Sequence, residues 1–490
     1  MSIIKISNMS FNYLRDSYKL FENISLNLDT DWRLGLIGRN GRGKTTLLKI
    51  LNGELQFDGK IDMCERTQYF PKLVKNMDLD AIDVIYELYP DVELWKLLRE
   101  MSLLKIEDEV LYRPFSTLSG GEQSKIQLAA LFSHDNEFLL LDEVTNHLDA
   151  HGREMVAEYI SSKSGFILVS HDRDFLDKSV NHILSINRNS IDLLKGNYTV
   201  WEEQKALDDN FEIEKNRKLK TEIKKLTEAS RRFSNWSDQV EKTKFGNGPV
   251  DRGFIGTKSA KMMKKSINAK KKAEEAIEEK SSLLKDIEIA DELTIMPLAH
   301  GAKNLFKLHD FQVCYNNPIF EKLNLDFANG DILSINGDNG SGKSSLIKAL
   351  LGEDIPYLGH YNMANEIIIS YLPQDFSHLS GSIDEFIFNQ GIDKTVFFTI
   401  LRKLDFPREQ FIKDMKYYSS GQKKKVLMAA SIAKPAHLYF WDEPLNFIDV
   451  FTRIQIENMI LEYSPSMVII EHDKRFVESV STKTIELKSL

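Results

Sequence analysis

Gly38-Arg39-Asn40-Gly41-Arg42-Gly43-Lys44-Thr45 is the stretch that decides the fold, and the chain carries a second version of it. That copy, Gly337-Asp338-Asn339-Gly340-Ser341-Gly342-Lys343-Ser344, lies about 300 residues further on. Each copy follows an apolar run that predicts a buried strand and precedes a segment that predicts a helix. Glycines in such a loop let backbone N–H groups cradle phosphate oxygens, and the helix N-terminus adds favourable potential. Both copies therefore predict a phosphate-binding loop.

Three further motifs repeat in the same order and at nearly the same offset. The first half contains Ser119-Gly120-Gly121-Glu122, then Asp142-Glu143, then His171. The second half contains Ser419-Ser420-Gly421-Gln422, then Asp442-Glu443, then His472. The shared order and spacing predict a tandem duplication of one α/β nucleotide-binding domain.

The composition changes along the chain and predicts three parts. Residues 1–200 and 301–490 carry the motifs, so they are predicted to be the first and second ATPase domains. Apolar runs such as Phe138–Leu141 end at catalytic-type residues, as expected where buried parallel strands deliver side chains to their carboxyl edge. Residues 201–300 are rich in Lys, Glu and Leu and predict a helical linker.

The linker pattern predicts two helices joined by a glycine-rich turn. Residues 201–245 carry an apolar stripe at helical spacing, residues 259–289 carry a looser one, and 245–256 form the turn. This arrangement predicts an antiparallel hairpin, whose helices of ~35 residues would place the turn ~50 Å from the ATPase domains. The residues at the tip that could contact a partner are Lys244, Phe245, Arg252 and Phe254.

Charge is unevenly distributed along the 490 residues. The net charge is −9, yet the segment from Lys215 to Lys272 holds 18 Lys and Arg against 5 Asp and Glu. An acidic body with a basic middle predicts an anionic partner that the linker meets.

Bulk composition excludes several classes of protein. No stretch approaches the ~20 apolar residues that span a bilayer, and the start lacks the apolar region of a secretory signal. The two cysteines, Cys64 and Cys314, indicate no disulfide framework, which favours a reducing compartment. We expect a cytoplasmic protein with no membrane partner.

The motif residues predict ATP chemistry with Mg²⁺. Lys44 and Lys343 would reach the β- and γ-phosphates. A carboxylate beside the metal can polarise the attacking water, which assigns Glu143 and Glu443 as general bases, and the histidines could contact the γ-phosphate. The predicted metal ligands are Thr45, Asp142, Ser344, Asp442 and Gln374, and Thr46 and Ser345 complete the phosphate loops.

The Ser-Gly-Gly-Glu motif beside these loops resembles the signature of the ATP-binding-cassette family. The resemblance implies that two domains of one chain, a monomer, pair head to tail around two ATP molecules. One site would join Lys44 to Ser419 and Gly421, and the other would join Lys343 to Ser119, Gly120 and Gly121. Two aromatic residues, Tyr13 and Tyr315, occupy the places where the family stacks adenine, with core tyrosines as the alternative.

Departures from the family pattern collect at the Lys44 site. Lysine replaces the usual glutamine at Lys72, valine replaces proline at Val144, and Ser420 and Gln422 alter the second signature. We therefore predict unequal sites, with slower or more weakly coupled turnover at the Lys44 site.

The interval between phosphate loop and signature is short in both halves. DNA-maintenance ATPases, by contrast, insert a coiled coil in that interval. The chain instead resembles the ABC-F family, through Leu141–Asp149, and within it the Lsa/Vga-like resistance branch, through Arg113–Gly121 and Trp441–Asn446. This resemblance implies binding to the bacterial ribosome from the tRNA exit site, near large-subunit rRNA and peptidyl-site tRNA. It also implies displacement of lincosamide, streptogramin A and pleuromutilin drugs, and an arm at about 75–110. A housekeeping translation factor and a soluble exporter subunit remain alternatives.

Overall fold

A computed structural model describes residues 2–13, 19–134, 137–146, 148–187, 190–242, 291–315, 317–488 and 490, with isolated positions between 264 and 276. Side chains of the linker helix are described as far as residue 228. Contacts divide the chain into one unit of residues 1–199 and 290–490 and a second unit of residues 200–289. The predicted tip residues Lys244, Phe245, Arg252 and Phe254 lie outside the described residues.

The first half contains a mixed and an antiparallel sheet. Its strands are β1 (Ile3–Phe11), β2 (Phe21–Asp29), β3 (Arg33–Gly38), β4 (Asp58–Asp62), β5 (Arg66–Phe70), β6 (Glu137–Asp142), β7 (Phe166–Val169), β8 (His182–Ile186) and β9 (Ile191–Lys195). The larger sheet has the order β5-β6-β7-β3-β8-β9, parallel except for the β8–β9 pair. The smaller sheet, β2-β1-β4, is antiparallel.

Helices cover the sheets and carry the motifs of the first half. They are α1 (Lys44–Leu51), α2 (Ala81–Leu88), α3 (Leu94–Leu103), α4 (Gly120–Phe132), α5 (Ala150–Ser161), α6 (Arg173–Ser179) and α7 (Tyr198–Lys242), with short 3-10 turns at Asp108–Tyr112 and Phe115–Thr117. Helix α7 has 45 residues and overlaps the first predicted linker helix, 201–245.

The second half repeats this plan. Its strands are β10 (Asn304–Val313), β11 (Leu323–Ala328), β12 (Ile332–Asn336), β13 (Tyr357–Met363), β14 (Ile369–Leu372), β15 (Leu438–Asp442), β16 (Met467–Ile470) and β17 (Lys483–Glu486). Its helices are α8 (Lys343–Leu350), α9 (Ile383–Gln390), α10 (Lys394–Lys403), α11 (Ser420–Ala433), α12 (Val450–Tyr463) and α13 (Lys474–Val480), with 3-10 turns at Arg408–Ile412 and Met415–Tyr417. The parallel sheet is β14-β15-β16-β12-β17, beside the antiparallel sheet β11-β10-β13. The two α/β domains confirm the predicted fold class.

An apolar core fixes each phosphate loop at the carboxyl edge of its sheet. Leu47 and Leu48 of α1 are fully buried against strand residues such as Leu36 and Ile4. Leu346 and Ile347 of α8 occupy the same place in the second core. Because each helix is anchored by its apolar face, the loop before it has little freedom to move.

Helices α2 and α3 account for half of the residues in the segment at about 75–110. The helix pair α9 and α10 occupies the equivalent place in the second half, so the segment belongs to the helical layer that both domains share. Helix α3 buries Leu97 and Met101 and leaves Trp95 59% exposed. Ribosome contact by this segment stays a prediction.

None of the described helices has both the length and the hydropathy that a membrane span requires.

Candidate nucleotide sites

Each phosphate loop encloses the amine of its own lysine. Lys44 Nζ donates hydrogen bonds to the carbonyl oxygens of Gly38, at 2.7 Å, and Arg39, at 3.2 Å. Lys343 Nζ donates to the matching carbonyls of the second loop at 2.7 and 2.8 Å. Gly43, the N-cap of α1, has φ +91°, and a side chain there would place Cβ 2.7 Å from the Phe21 ring. The close approach explains the glycine at this turn.

The two aspartates fit a magnesium ion carried by a nucleotide. In the first half, Thr45 Oγ1 and Tyr69 Oη both donate to Asp142 Oδ2 at 2.8 Å. In the second half Ser344 hydrogen-bonds Asp442, whose Oδ1 is buried without a hydrogen-bond partner among the described residues. One carboxylate and one hydroxyl suit Mg²⁺, which takes its remaining ligands from phosphates and water. The described residues contain no cluster of three His, Cys, Asp or Glu side chains that could hold a metal ion.

Both glutamates occupy the left-handed backbone region. Glu143 has φ +53° and Glu443 has φ +47°, a conformation that costs energy for residues with a side chain and is concentrated at functional sites. Glu143 Oε1 lies 3.2 Å from His171 Nε2, and Asn146 Nδ2 donates to its other oxygen at 2.9 Å. In the second half His472 Nε2 is further away, at 4.0 Å. Contact with the histidine is therefore closer in the first half.

Electrostatics also differ between the two glutamates. Burial raises the pKa of Glu143, but contacts with His171, Asn146 and Lys44 outweigh it and lower that pKa to about 2. Burial, Glu471 and Asp442 instead raise the pKa of Glu443, despite a hydrogen bond from Gln374. Because a carboxylate with a higher pKa is a stronger base, the second half holds the better proton acceptor.

Both histidines are neutral near pH 7. Burial and the nearby Lys44 ammonium lower the pKa of His171. Burial, with the positive charges of Arg153 and Lys343, lowers the pKa of His472 to about 3. Nε2 of His171 faces Glu143 at 3.2 Å, whereas the buried Nε2 of His472 lacks a hydrogen-bond partner among the described residues and could bond to a phosphate oxygen.

The second signature packs against the first phosphate loop. Asn40 Nδ2 donates to the carbonyl of Phe447 at 2.9 Å, and its backbone N–H donates to Asp449 at 3.3 Å. A side chain on Gly421 would place Cβ 2.9 Å from Asn40 Nδ2. The structure thus brings together the Lys44 loop and the Ser419–Gln422 signature.

The first signature faces the second phosphate loop across a cavity of about 840 Å³. Gly120 and Arg153 of the first half line it together with Lys343, Glu443 and His472 of the second. Other lining residues include Asn339, Gly340, Gly342, Ser344, Ser345, Tyr315 and Gln374. The head-to-tail arrangement implied by the sequence is therefore present on both sides.

Both signature helices begin with a reciprocal cap. Ser119 Oγ accepts from the Glu122 N–H at 3.2 Å, and Glu122 Oε2 accepts from the Ser119 N–H at 2.8 Å. Ser419 and Gln422 form the same capping box at 3.3 and 3.0 Å. An amide oxygen accepts this hydrogen bond as a carboxylate does, so Gln422 preserves the local geometry.

Lys72, which stands where the family usually has glutamine, packs against the end of α2. Its Nζ donates to the Leu88 carbonyl at 2.9 Å and lies 4.0 Å from the centroid of the Tyr89 ring. A cation over an aromatic face and a backbone carbonyl are both stabilising contacts. The amine therefore joins the loop to the end of α2.

The two tyrosines assigned to adenine stacking lie outside the hydrophobic core. Tyr13 is 45% exposed and its hydroxyl is 2.8 Å from Thr46 Oγ1, whereas Tyr315 is 61% exposed and lies 3.2 Å from Ser345 Oγ. Their exposure argues against the alternative of core tyrosines. Stacking on adenine stays a prediction.

Two phosphate-loop domains that face each other head to tail within one chain define a pair of ATP-binding-cassette ATPases. The chain belongs to the ABC transporter family, whose family model matches residues 21–146 and 320–446. ABC ATPase domains bind and hydrolyse ATP.

Relatives match almost the whole chain. The ATP-binding protein Uup of Buchnera aphidicola (subspecies Acyrthosiphon pisum) is 29% identical over 513 residues, covering 99% of this chain and 80% of that protein. The ribosome protection protein VmlR of Bacillus subtilis is 26% identical over 499 residues, covering 99% of this chain and 87% of that protein. The archaeal ribosome recycling factor aABCE1 has a similar fold, with a TM-score of 0.63 at 17% identity, covering 98% of this chain and 87% of that one.

Proposed function

We propose that this protein is an ABC-F-type ATPase that acts on the bacterial ribosome and protects it from antibiotics of the peptidyl-transferase centre. The basic linker between two paired ATPase domains is the observation that carries the proposal. Six cationic side chains of α7 are exposed and can neutralise RNA phosphates, namely Lys215, Arg217, Lys218, Lys220, Lys224 and Lys225. Similarity to a ribosome protection protein over 99% of this chain supports the same assignment.

In the proposed cycle, two ATP molecules with Mg²⁺ close the domains, and hydrolysis reopens them. Each γ-phosphate would contact the loop of one domain and the signature of the other, so its contacts would exist only in the closed state. ATP would therefore shift the equilibrium towards closure, and the closed domains would hold the linker in a pose that engages rRNA beside peptidyl-site tRNA. Glu143 and Glu443 would act as general bases for the attacking waters.

Ribosome co-sedimentation tests this function. The double variant Glu143→Gln and Glu443→Gln should bind ATP without efficient hydrolysis and should pellet with bacterial 70S ribosomes only when ATP is present. Binding should weaken as salt rises, because phosphate contacts release counterions. The matched control, Lys44→Ala with Lys343→Ala, should stay in the supernatant. Absence of the trapped variant from the pellet at every salt concentration would refute a ribosomal role and favour an exporter subunit.

Drug tolerance separates protection from a housekeeping role. Expression in a susceptible bacterium should raise the inhibitory concentration of lincomycin, and replacing residues 245–256 with a Gly-Ser segment of equal length should remove that gain. The replaced protein should still pellet with ribosomes, since the exposed cations of α7 are retained. A normal inhibitory concentration in cells that express the intact protein would instead support a housekeeping factor.

A further inference from the structure

A buried lysine ties together two strand ends of the Lys343 site. Lys424, in the first turns of α11, is 1% exposed. Its Nζ donates to the carbonyls of Pro373 and Asp442, both at 3.2 Å. These residues immediately precede Gln374 and Glu443, so the ammonium group fixes the backbone from which both side chains project.

A buried glutamate fixes two further segments of the Lys343 site, those of Leu445 and His472. Glu471 is 3% exposed and interacts electrostatically with Lys424. Its carboxylate accepts hydrogen bonds from the backbone N–H groups of Leu445, at 3.0 Å, and His472, at 2.7 Å. The pair thus holds the segments before and after Glu443 and the segment that carries His472.

The helix that carries Lys424 starts in the other nucleotide site. Its N-cap is Ser419, and Gly421 packs against Asn40 of the Lys44 loop. At 1.5 Å of rise per residue, Gly421 and Lys424 are separated by about 4.5 Å along the helix axis. A shift of the signature towards nucleotide in the Lys44 site would therefore move Lys424 with it, as part of the same rigid turn.

The first half makes a different and smaller connection, in which Gln127 of α4 accepts a hydrogen bond from the Lys72 N–H at 3.2 Å. Ser124 occupies the place of Lys424, and its hydroxyl donates to the Gly120 carbonyl of its own helix at 2.9 Å. Ser170 occupies the place of Glu471 and accepts from the Asp172 N–H at 3.2 Å. Two neutral hydroxyls therefore replace the buried charges that span four segments, and the contact of Ser170 outside its own segment is with Thr145 Oγ1 at 3.4 Å.

We propose that Lys424, supported by Glu471, is a positioning residue that couples nucleotide at the Lys44 site to Gln374 and Glu443 at the Lys343 site. The inference rests on the proposed ATP chemistry of both sites. The link is a contiguous set of hydrogen bonds between one helix and two strand ends, which is a physical route for such coupling. In the first half the signature helix reaches the matching loop only through the backbone of Lys72, among the described residues, and Ser124 bonds within its own helix.

ATP turnover by the purified full chain without ribosomes tests the coupling. The wild type should give a sigmoidal dependence on ATP concentration, with a Hill coefficient above 1. Lys424→Ser together with Glu471→Ser installs the first-half pair and leaves neither charge buried alone. This double variant should give a hyperbolic curve and lower kcat by about tenfold, a typical size for coupling between sites, with half-saturation within about twofold.

Three comparisons make the outcome decisive. Ser124→Ala, the matched change in the first half, should retain the sigmoidal curve. A double variant that folds, as judged by its thermal transition, and retains both the sigmoidal curve and wild-type kcat would overturn the coupling alone. A hyperbolic wild-type curve would also overturn it, whereas a wild type that hydrolyses no ATP would overturn the proposed function as well.

Discussion

Glu443→Gln is expected to lower steady-state ATP turnover by about tenfold or more, because a general base contributes ~10²–10⁴ to the rate of its own site. Glu143→Gln should lower the same turnover by less than about twofold. Glu143 lies 3.2 Å from His171 and accepts a hydrogen bond from Asn146, contacts that lower its pKa to about 2. Burial and Glu471 raise the pKa of Glu443. The stronger base should therefore carry most of the turnover, at the Lys343 site.

Phosphate release by each single variant, measured at saturating ATP, checks this asymmetry. Glutamine matches glutamate in size, so the substitution removes the base and leaves the surroundings nearly unchanged. A raised pKa means that Glu443 is protonated earlier on acidification, so wild-type turnover should fall as pH drops through that pKa. The residual turnover of Glu443→Gln should depend less on pH across the same range, because the pKa of Glu143 is about 2. Equal losses in the two single variants would contradict unequal sites.

Residues whose spacing is set within one strand–loop–helix unit could be placed from the sequence. Lys44 follows β3 and begins α1 as the glycine pattern predicts, and Thr45 meets Asp142 at 2.8 Å. The head-to-tail arrangement also followed, through the family resemblance, and the Asn40–Phe447 contact between the halves agrees with it.

The burial of Lys424 and Lys425 depends on contacts between distant segments and could not be predicted from the sequence. Lys424 lies in the run Lys423-Lys424-Lys425, a pattern typical of a solvated helix face. Yet Lys424 and Lys425 are 1% and 3% exposed, because the fold brings the carbonyls of Asp442 and Leu404 to their amines. Burial of this kind depends on packing between distant segments, which local periodicity does not encode.

The physical basis of the predicted asymmetry also changed. Lys72 and Gln422 suggested a weakened Lys44 site, but Lys72 packs on Tyr89 and Gln422 preserves the helix cap. The halves instead differ in the distance from histidine to glutamate, 3.2 Å in the first half and 4.0 Å in the second, and in Glu471, where the first half has Ser170. The inequality of the sites stays a prediction, now with a different cause.

Arg453→Ala should be among the most destabilising single changes in the second half. Arg453 is 5% exposed, and its guanidinium donates to the carbonyls of Ile448, at 3.0 Å, and Leu445, at 2.9 Å, and to Asp473 Oδ2, at 2.9 Å. Asp473 is 1% exposed and would retain Arg173 only at 3.9 Å. Breaking one partner of a buried ion pair costs about 3–5 kcal/mol, since it leaves the other charge without adequate compensation.

The ion pair between Arg453 and Asp473 also makes the stability lost in Arg453→Ala depend on pH. Burial raises the pKa of Asp473, but Arg453 and Arg173 outweigh it, so that pKa lies below its usual value. A lowered pKa contributes stability that is fully present above the unfolded value of about 4 and is lost as pH falls through the folded value. The difference between wild type and Arg453→Ala should therefore be largest near pH 7 and shrink below about pH 4.

Hydrogen exchange of α12 at increasing urea concentration measures this loss, because it reports the opening of the second half separately from the first. Arg153→Ala is the matched change in the first half, where the guanidinium donates to the Leu148 carbonyl at 3.1 Å and to Asp172 at 3.0 Å. It should destabilise α5 and leave exchange in α12 nearly unchanged. A loss in α12 below about 1 kcal/mol for Arg453→Ala would mean that Arg173 or water compensates the Asp473 carboxylate, against the cost expected for a broken buried pair.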